Sequence, residues 1–243
     1  MAAPKNPETR NVLIGIGITL FGISLFFLPI ATGMDGMNGG FALMFLAIAL
    51  VIPAGIITTI LYGIRALTLQ RILSGKDLIV HWTYTPGEWK KYAGEEHVRE
   101  TSAKMALFYV LVFFSVLIGG GLFFVADDKE AAVIVLFGLF GLIIFIRLLI
   151  YFSIKKTRDD NIKYLGEAYI GRKGVCLNKS FHSWNFLSQL ESARIDVNQK
   201  ILEIEYSSLS RQGKDYSSVR IPIPSGKEDD AKKVLSGLLK DRS

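Results

Sequence analysis

The chain has 243 residues, a formal net charge of +6, half of its residues hydrophobic and a mean hydropathy of +0.35, a composition that excludes an ordinary soluble globular domain and fits a membrane protein. Its one cysteine, Cys176, excludes an intramolecular disulfide framework and, with no histidine or acid pattern around it, reads as a reduced, partly buried thiol and not a nucleophile. The positive charge comes with no recognised nucleic-acid motif, so no nucleic-acid partner is expected.

Four apolar stretches are long enough to cross a hydrocarbon core of roughly 30 Å: Val12 to Ala31, Phe41 to Ile64, Met105 to Val125 and Ala131 to Phe152. The first competes with a cleaved signal peptide, given its basic start and the small residues near Gly33, but its length exceeds the usual apolar region of such signals. Basic residues crowd three segments: Lys5 and Arg10; Arg65, Arg71, Lys76, Lys90, Lys91, Arg99 and Lys104; and Lys155, Lys156 and Arg158. The short turns differ: Met34 to Gly40 holds only Asp35, and Asp127-Asp128-Lys129-Glu130 is net acidic. The bias predicts a multi-pass protein of the cell membrane with both termini and the main soluble mass in the cytoplasm.

In chain order this gives an N-terminus (1–11), a first hairpin (12–64), an insert (65–104), a second hairpin (105–152) and a tail (153–243). Within the insert, Leu78 to Tyr84 alternates as a strand, and Thr85-Pro86-Gly87-Glu88 is a capping box that opens a helix to about Ser102. From Leu165 the tail offers strands at Glu167 to Ile170, Val175 to Leu177, Phe181 to Trp184, Gln189 to Asp196, Ile201 to Ser207 and Ser217 to Pro222. Ser225-Gly226-Lys227-Glu228 reads as a second capping box, before Ala231, Val234, Leu235, Leu238 and Leu239 at helical spacing. A lone strand cannot satisfy its backbone, so the insert strand is expected to pair with the tail.

Few residues suggest chemistry. His81, His97 and His182 have no metal-ligand spacing, and Ser225-Gly226-Lys227 lacks the upstream glycine of a phosphate loop. No nucleophile, base or metal set can be assembled, so neither an enzyme nor a cofactor is expected. Arg147 lies about five residues from the end of its span and is expected to snorkel to the interface, the alternative being a buried ion or substrate contact. Pro53 is expected to kink the second span. Gly15, Gly22, Gly119, Gly120, Gly121, Gly138 and Gly141 are expected to line helix contacts within the protomer or between copies. Asn178-Lys179-Ser180 is a glycosylation sequon that a cytoplasmic location leaves unused. Lys90, Lys91, Lys155, Lys156, Arg158, Arg172 and Lys173, with Lys76 and Lys163, are candidate contacts for anionic lipid.

The run His81-Trp82-Thr83-Tyr84-Thr85-Pro86-Gly87-Glu88-Trp89 stands before a membrane hairpin, Gly166 to Asn178 opens a sheet, and Phe181-His182-Ser183-Trp184 follows. Val219-Arg220-Ile221-Pro222-Ile223-Pro224 leads into the last helix. Over roughly residues 77 to 243 this pattern resembles the YcxB-like membrane proteins, whose cytoplasmic part is a bacterial pleckstrin-homology-like (PH-like) domain. The resemblance implies an antiparallel β half-barrel capped by a C-terminal helix, α+β in class, attached to four transmembrane helices, and used to bind lipids or peptides. The first hairpin departs from the simplest two-span members. The leading expectation is therefore a non-catalytic module that binds or scaffolds a protein partner, another copy of itself or an anionic lipid, through an exposed sheet edge and the groove beside the terminal helix. A small transporter or channel subunit, with Pro53 and Arg147 as its intramembrane residues, is the alternative.

Overall fold

The computed structural model describes residues 5–125, 129–163, 166–210 and 213–240. The acidic turn at Asp127-Asp128, Leu165, and the side chains of Lys163 and Leu239 lie outside them. Four helical segments are long and apolar enough to cross a membrane, Glu8–Thr32, Gly36–Leu73, Pro86–Gly121 and Val133–Asp159, which is the architecture of a multi-pass membrane protein. The chain divides into two compact units, Met1–Thr83 with Glu167–Ser243, and Tyr84–Gly166.

The first unit starts with a helical hairpin. Helix α1 (Glu8–Thr32) turns at Gly33 and Gly36–Gly40, and returns as α2 (Phe41–Leu46), a single widened turn (Ala47–Val51) and α3 (Ile52–Leu73). The buried residues of α1 are Glu8, Gly15, Gly22 and Pro29, a seam repeating every seven positions. At its centre the backbones nearly touch, for a β-carbon on Gly15 would lie 2.7 Å from the amide nitrogen of Thr59, and one on Gly55 2.5 Å from that of Thr19. Gly15-x3-Thr19 and Gly55-x3-Thr59 therefore pack reciprocally, small residue against small residue, which substitutes for the hydrophobic driving force absent in lipid. Both threonine hydroxyls donate back to their own helix, Thr19 Oγ1 to the Gly15 carbonyl (3.0 Å) and Thr59 Oγ1 to that of Gly55 (2.8 Å).

Pro53 stands at the second position of α3, where Val51 is itself helical, so the proline interrupts the amide ladder of a helix running on from α2, and just upstream the amide of Ile52 donates five residues back to Ala47. The expected disturbance of the second span is thus a widened turn before the proline. Of the glycines expected at helix contacts, Gly15 and Gly22 meet α3 and its widened turn, and Gly119 meets Leu136; Gly120, Gly121, Gly138 and Gly141 face open space within the protomer.

Seven strands follow in two antiparallel sheets. The first has the order β1 (Leu78–Thr83), β2 (Glu167–Gly171), β3 (Gly174–Leu177) and β4 (Ser180–Ser183); the second has β5 (Ser188–Asp196), β6 (Ile201–Ser210) and β7 (Gly213–Pro222). The insert strand does pair with the tail: Val80, His81, Trp82 and Thr83 stand opposite Ile170, Tyr169, Ala168 and Glu167. The β3–β4 hairpin turns on Asn178 and Lys179, both at positive φ (45° and 71°), so the sequon is a tight primed turn.

All four residues of β3 are buried, because both faces of this sheet are covered. On one face Tyr169, Cys176 and Phe181 pack with Leu69, Ile72 and Leu73, so α3 continues past the apolar run and becomes part of the soluble core. On the other, Trp82, Ala168, Ile170 and Val175 are fully buried, as are Leu202, Ile204 and Ile221 of the second sheet and Val234 and Leu238 of α6 (Glu228–Lys240). Helix α6 starts at Glu228, two to three residues later than a cap at Ser225 implies. Gly226 takes a positive φ of 78° and Lys227 N–H donates to the Pro224 carbonyl, so this stretch is a turn. The Glu228 carboxylate accepts its own amide and faces the Lys200 ammonium at 3.5 Å, and these, with the Gly226 amide, hold it below the usual carboxylate range.

The second unit is a hairpin of two long helices, α4 (Pro86–Val125) and α5 (Lys129–Lys163). The capping box at its start is formed as expected, with Thr85 N–H and Oγ1 donating to the Glu88 carboxylate (3.0 and 2.8 Å) and Glu88 N–H donating to Thr85 Oγ1 (3.3 Å). The helix expected to run through about Ser102 and almost directly into the third span is one unbroken helix with it. Tyr84, Trp89 and Tyr92 stack at its root, and any β-carbon on Gly166 would collide with the Trp89 ring.

Replacing Gly55 by leucine forces the α1–α3 seam apart, whereas Gly63→Leu, where a β-carbon meets nothing within 4 Å, is tolerated. Thermal unfolding of the detergent-solubilised protein is expected to drop by several degrees for the first variant and to stay at the wild-type value for the second.

Candidate functional site: a basic cleft and the junction that supports it

An open cleft of about 540 Å³ lies in the first unit, lined by Arg71 and Asp77, Arg172 and Lys173, Trp184, Ser188 to Leu190 and Leu238. Its walls are built from the backbone outward. The hairpin turn between β2 and β3 is Gly171-Arg172-Lys173-Gly174, and neither glycine tolerates a side chain. A β-carbon on Gly171 would lie 2.6 Å from Ile72 and 2.7 Å from the Asp77 carbonyl, and one on Gly174 2.7 Å from that of His182. Three further bonds pin the turn: Arg172 N–H to the Asp77 carbonyl (3.2 Å), Trp184 N–H to that of Lys173 (3.1 Å) and Trp184 Nε1–H to that of Arg172 (2.6 Å). With the backbone committed inward, the Arg172 and Lys173 side chains remain exposed on the rim. Arg71 closes that side, with Nε and one terminal nitrogen donating to Asp77 (2.6 and 3.4 Å). The opposite wall is the start of β5, an edge strand, together with Leu238 of α6.

Of the cationic residues singled out in the sequence, Arg172 and Lys173 come together here, joined by Arg71. Lys76 stands in the turn between α3 and β1 of the first unit, and Lys90, Lys91, Lys155, Lys156 and Arg158 belong to the second unit. Lys104 Nζ donates to Ser153 Oγ (3.3 Å), and Lys155, Lys156 and Arg158 stand exposed just beyond that point on α5. Lys90 and Lys91 are exposed thirteen or more residues up α4, roughly 20 Å from Lys104. Arg147 is exposed on α5, its guanidinium 5.8 Å from the centre of the Phe108 ring. Among the described residues no group of three or more histidine, cysteine or acidic side chains is placed to hold a metal ion.

Beneath the cleft lies a polar junction centred on Arg65. Its terminal nitrogen donates to Glu8 Oε1 (2.8 Å) and to the Phe181 carbonyl (2.6 Å), and its guanidinium faces the rings of Phe181 and Tyr62 at 5.4 and 5.8 Å. Glu8 is only 5% exposed and is bonded further by Asn11. Asn6 donates to the Ala66 carbonyl (2.7 Å), and Asn185 to Thr68 Oγ1 (2.5 Å). His182 completes the junction, with Nδ1 3.0 Å from the Tyr206 hydroxyl in the other sheet and Nε2 3.2 Å from Ser180 Oγ. Burial, and then the Arg65 charge, push the His182 pKa down to about 4, against a smaller opposing pull from Glu8. The imidazole is therefore neutral near pH 7. Burial pushes the Cys176 thiol up to about 12, so it stays protonated and unreactive.

Sequence reasoning did not find this junction. Glu8 and Arg65 sit just outside the apolar runs and 57 positions apart, and each reads alone as a flanking charge. Their symmetrical placement at the outer ends of one hairpin was the available signal. No protein-family profile, no curated protein and no solved structure matches this chain.

Two outcomes follow. Because the folded state holds His182 neutral down to about pH 4 while the unfolded chain protonates it near 6.5, stability is complete above about 6.5 and is lost as the pH falls toward 4. The loss is on the order of 3 kcal/mol, read as a falling denaturation midpoint, and His182→Gln flattens it. Arg65→Met strands a buried carboxylate and is expected to cost about 2 kcal/mol, a figure discounted because the arginine side chain is a third exposed, with Glu8→Gln recovering part of it in the double variant.

Proposed function

We propose that the chain is a non-catalytic membrane protein that presents a PH-like domain at the cytoplasmic membrane face and there binds or scaffolds a protein partner. Support for the PH-like reading comes from the strand order, four antiparallel strands, three more, and a closing helix, and from the sequence pattern resembling YcxB-like proteins. Both termini lie in the cytoplasm in this reading, following the basic flanks of the spans.

The single observation that carries the function is the cleft. One wall is an edge strand, Ser188 to Leu190, and the other a rigid turn bearing Arg172 and Lys173 beside Arg71. An edge strand accepts an extended segment through its backbone, and cations opposite select acidic side chains. The preferred occupant is thus an extended acidic segment of another protein. A cleft of this size lies in the range that encloses a compact ligand.

A second reading, an anionic lipid headgroup, draws on the position of Arg71. It lies six residues beyond Arg65 on α3, about 9 Å above the level where the apolar run ends, within reach of headgroup phosphates. For the transporter reading, the intramembrane hydroxyls Thr19 and Thr59 donate their protons to their own helices at the α1–α3 seam.

A photo-crosslinking residue at Gln189 in the full-length protein, expressed in its native membrane, is expected to give one discrete protein adduct that R172E/K173E abolishes. An adduct unaffected by that double reversal overturns the cleft as the binding surface. Absence of an adduct, with vesicle binding that depends on anionic lipid and falls about tenfold or more in R172E/K173E, replaces the partner by lipid.

A further inference from the structure

A second, smaller cleft of about 290 Å³ lies against α3, and its lining mixes residues of the membrane span with residues of the sheets: Leu61, Tyr62, Ile64 and Arg65 from α3, and Phe186, Leu187 and Leu209 among those facing them. Leu61 stands one helical turn, about 6 Å, before Arg65. Arg65 and Glu8 mark where α1 and α3 both stop being apolar, so the cleft straddles the level at which hydrocarbon gives way to headgroups.

The sheet residues there are the wrong kind for water. Phe186 is 68% exposed and Leu209 71% exposed, and Leu187 is exposed beside them. Single exposed apolar residues are ordinary, but three converging on a transmembrane helix are not. Phe186 also sits at φ +60°, a conformation that costs a bulky residue about 1–2 kcal/mol and that glycine would adopt freely. Even so, most of its side chain is turned out of the protein. The loop is nonetheless firmly held: Asn185 Nδ2 donates to Thr68 Oγ1 (2.5 Å), Ser188 N–H to the Asn185 carbonyl (3.2 Å) and Leu209 N–H to the Leu187 carbonyl (2.9 Å). A loop fixed to the helix, strained so as to turn a phenylalanine outward, is an arrangement that makes sense against a solvent other than water.

We propose that Phe186, Leu187 and Leu209 dip into the bilayer beside the stretch of α3 from Leu61 to Ile64, where its apolar run ends, and that the cleft they form with Leu61, Tyr62 and Ile64 is filled by a lipid acyl chain. The bilayer is the occupant because it already surrounds α3 at this level, so the apolar surface of the span and that of the loop are continuous. Tyr62, its ring 5.8 Å from the Arg65 guanidinium, stands at the level of an interfacial aromatic. The consequence is a second attachment of the sheets to the membrane, made by side chains inserted from the surface. It meets the basic cleft at Ser188, which lines both.

Site-directed spin labelling of the full-length protein in lipid bilayers tests this directly. The native Cys176 is buried and unreactive, so single cysteines at Leu187, Leu209, Val197 and Phe45 can be labelled in turn. Phe45 is an exposed residue of the apolar hairpin and reports lipid; Val197, 80% exposed in the β5–β6 turn, reports water. The oxygen-to-nickel-chelate accessibility ratio at 187 and 209 is expected to be several-fold above that at 197 and to approach that at 45. Ratios equal to that at 197 overturn the proposal, since the surface is then wet. Low accessibility to both reagents also overturns it, assigning the surface to a second copy or another protein. Continued resistance of Cys176 to maleimide in each variant verifies that the fold is intact.

Discussion

The first unit depends on one guanidinium. Arg65 stands where the second apolar run ends, and it is bound at once by a carboxylate from the first helix, a carbonyl from the fourth strand and the faces of two aromatic rings. Arginine suits this place because its planar fork offers several donors in fixed directions while its flat face stacks on rings, whereas lysine offers one compact, strongly hydrated charge. Without it, Glu8 would be a buried unpaired anion, and the helix–helix seam and the helix–sheet contact would lose their common point.

The arrangement around that residue explains why the sheet unit is so heavily buried for its size. A four-stranded sheet with one wet face would show alternation, yet β3 is buried on both sides. The reason is that α3 does not stop at the membrane surface. Leu69 and Ile72 belong to the same helix as Gly55 and Thr59, so one continuous element packs against another helix in lipid and against a sheet outside it. The contact face changes accordingly, with Gly55 and Thr59 against α1 in the first and Leu69 and Ile72 against the sheet in the second.

Much of this was legible in the sequence. The strands at Leu78, Glu167, Val175, Phe181, Gln189, Ile201 and Ser217 were visible because alternation and turn residues are local signals, and the capping box at Thr85 is a four-residue pattern with one geometric meaning. The role of Leu69 and Ile72 was hidden, since they follow an apolar run and read as its fading end. The late start of α6 was hidden by Gly226, whose positive φ turns an apparent cap into a turn. At the candidate site, Arg172 and Lys173 stood out as charges, but their union with Arg71 and Trp184 required the pairing of β1 with β2, a contact that spans the whole second hairpin. Glu8 and Arg65 met the same obstacle. Periodicity reports which face of an element is buried, and it is silent on which distant element covers it.

That pairing of β1 with β2 sets an order on biosynthesis. The first strand leaves the ribosome at Thr83, and its partner begins only at Glu167, after two further membrane spans. At about 5–20 residues per second the interval is on the order of 10 s, during which Trp82 and the edge of β1 have no sheet to join. The neighbour already synthesised is α3, whose Ile72 and Leu73 pack in the finished fold against the sheet that β1 begins. Insertion of the first hairpin therefore prepares a platform on which the nascent strand can wait, and completion of the sheet reports that the second hairpin has been threaded.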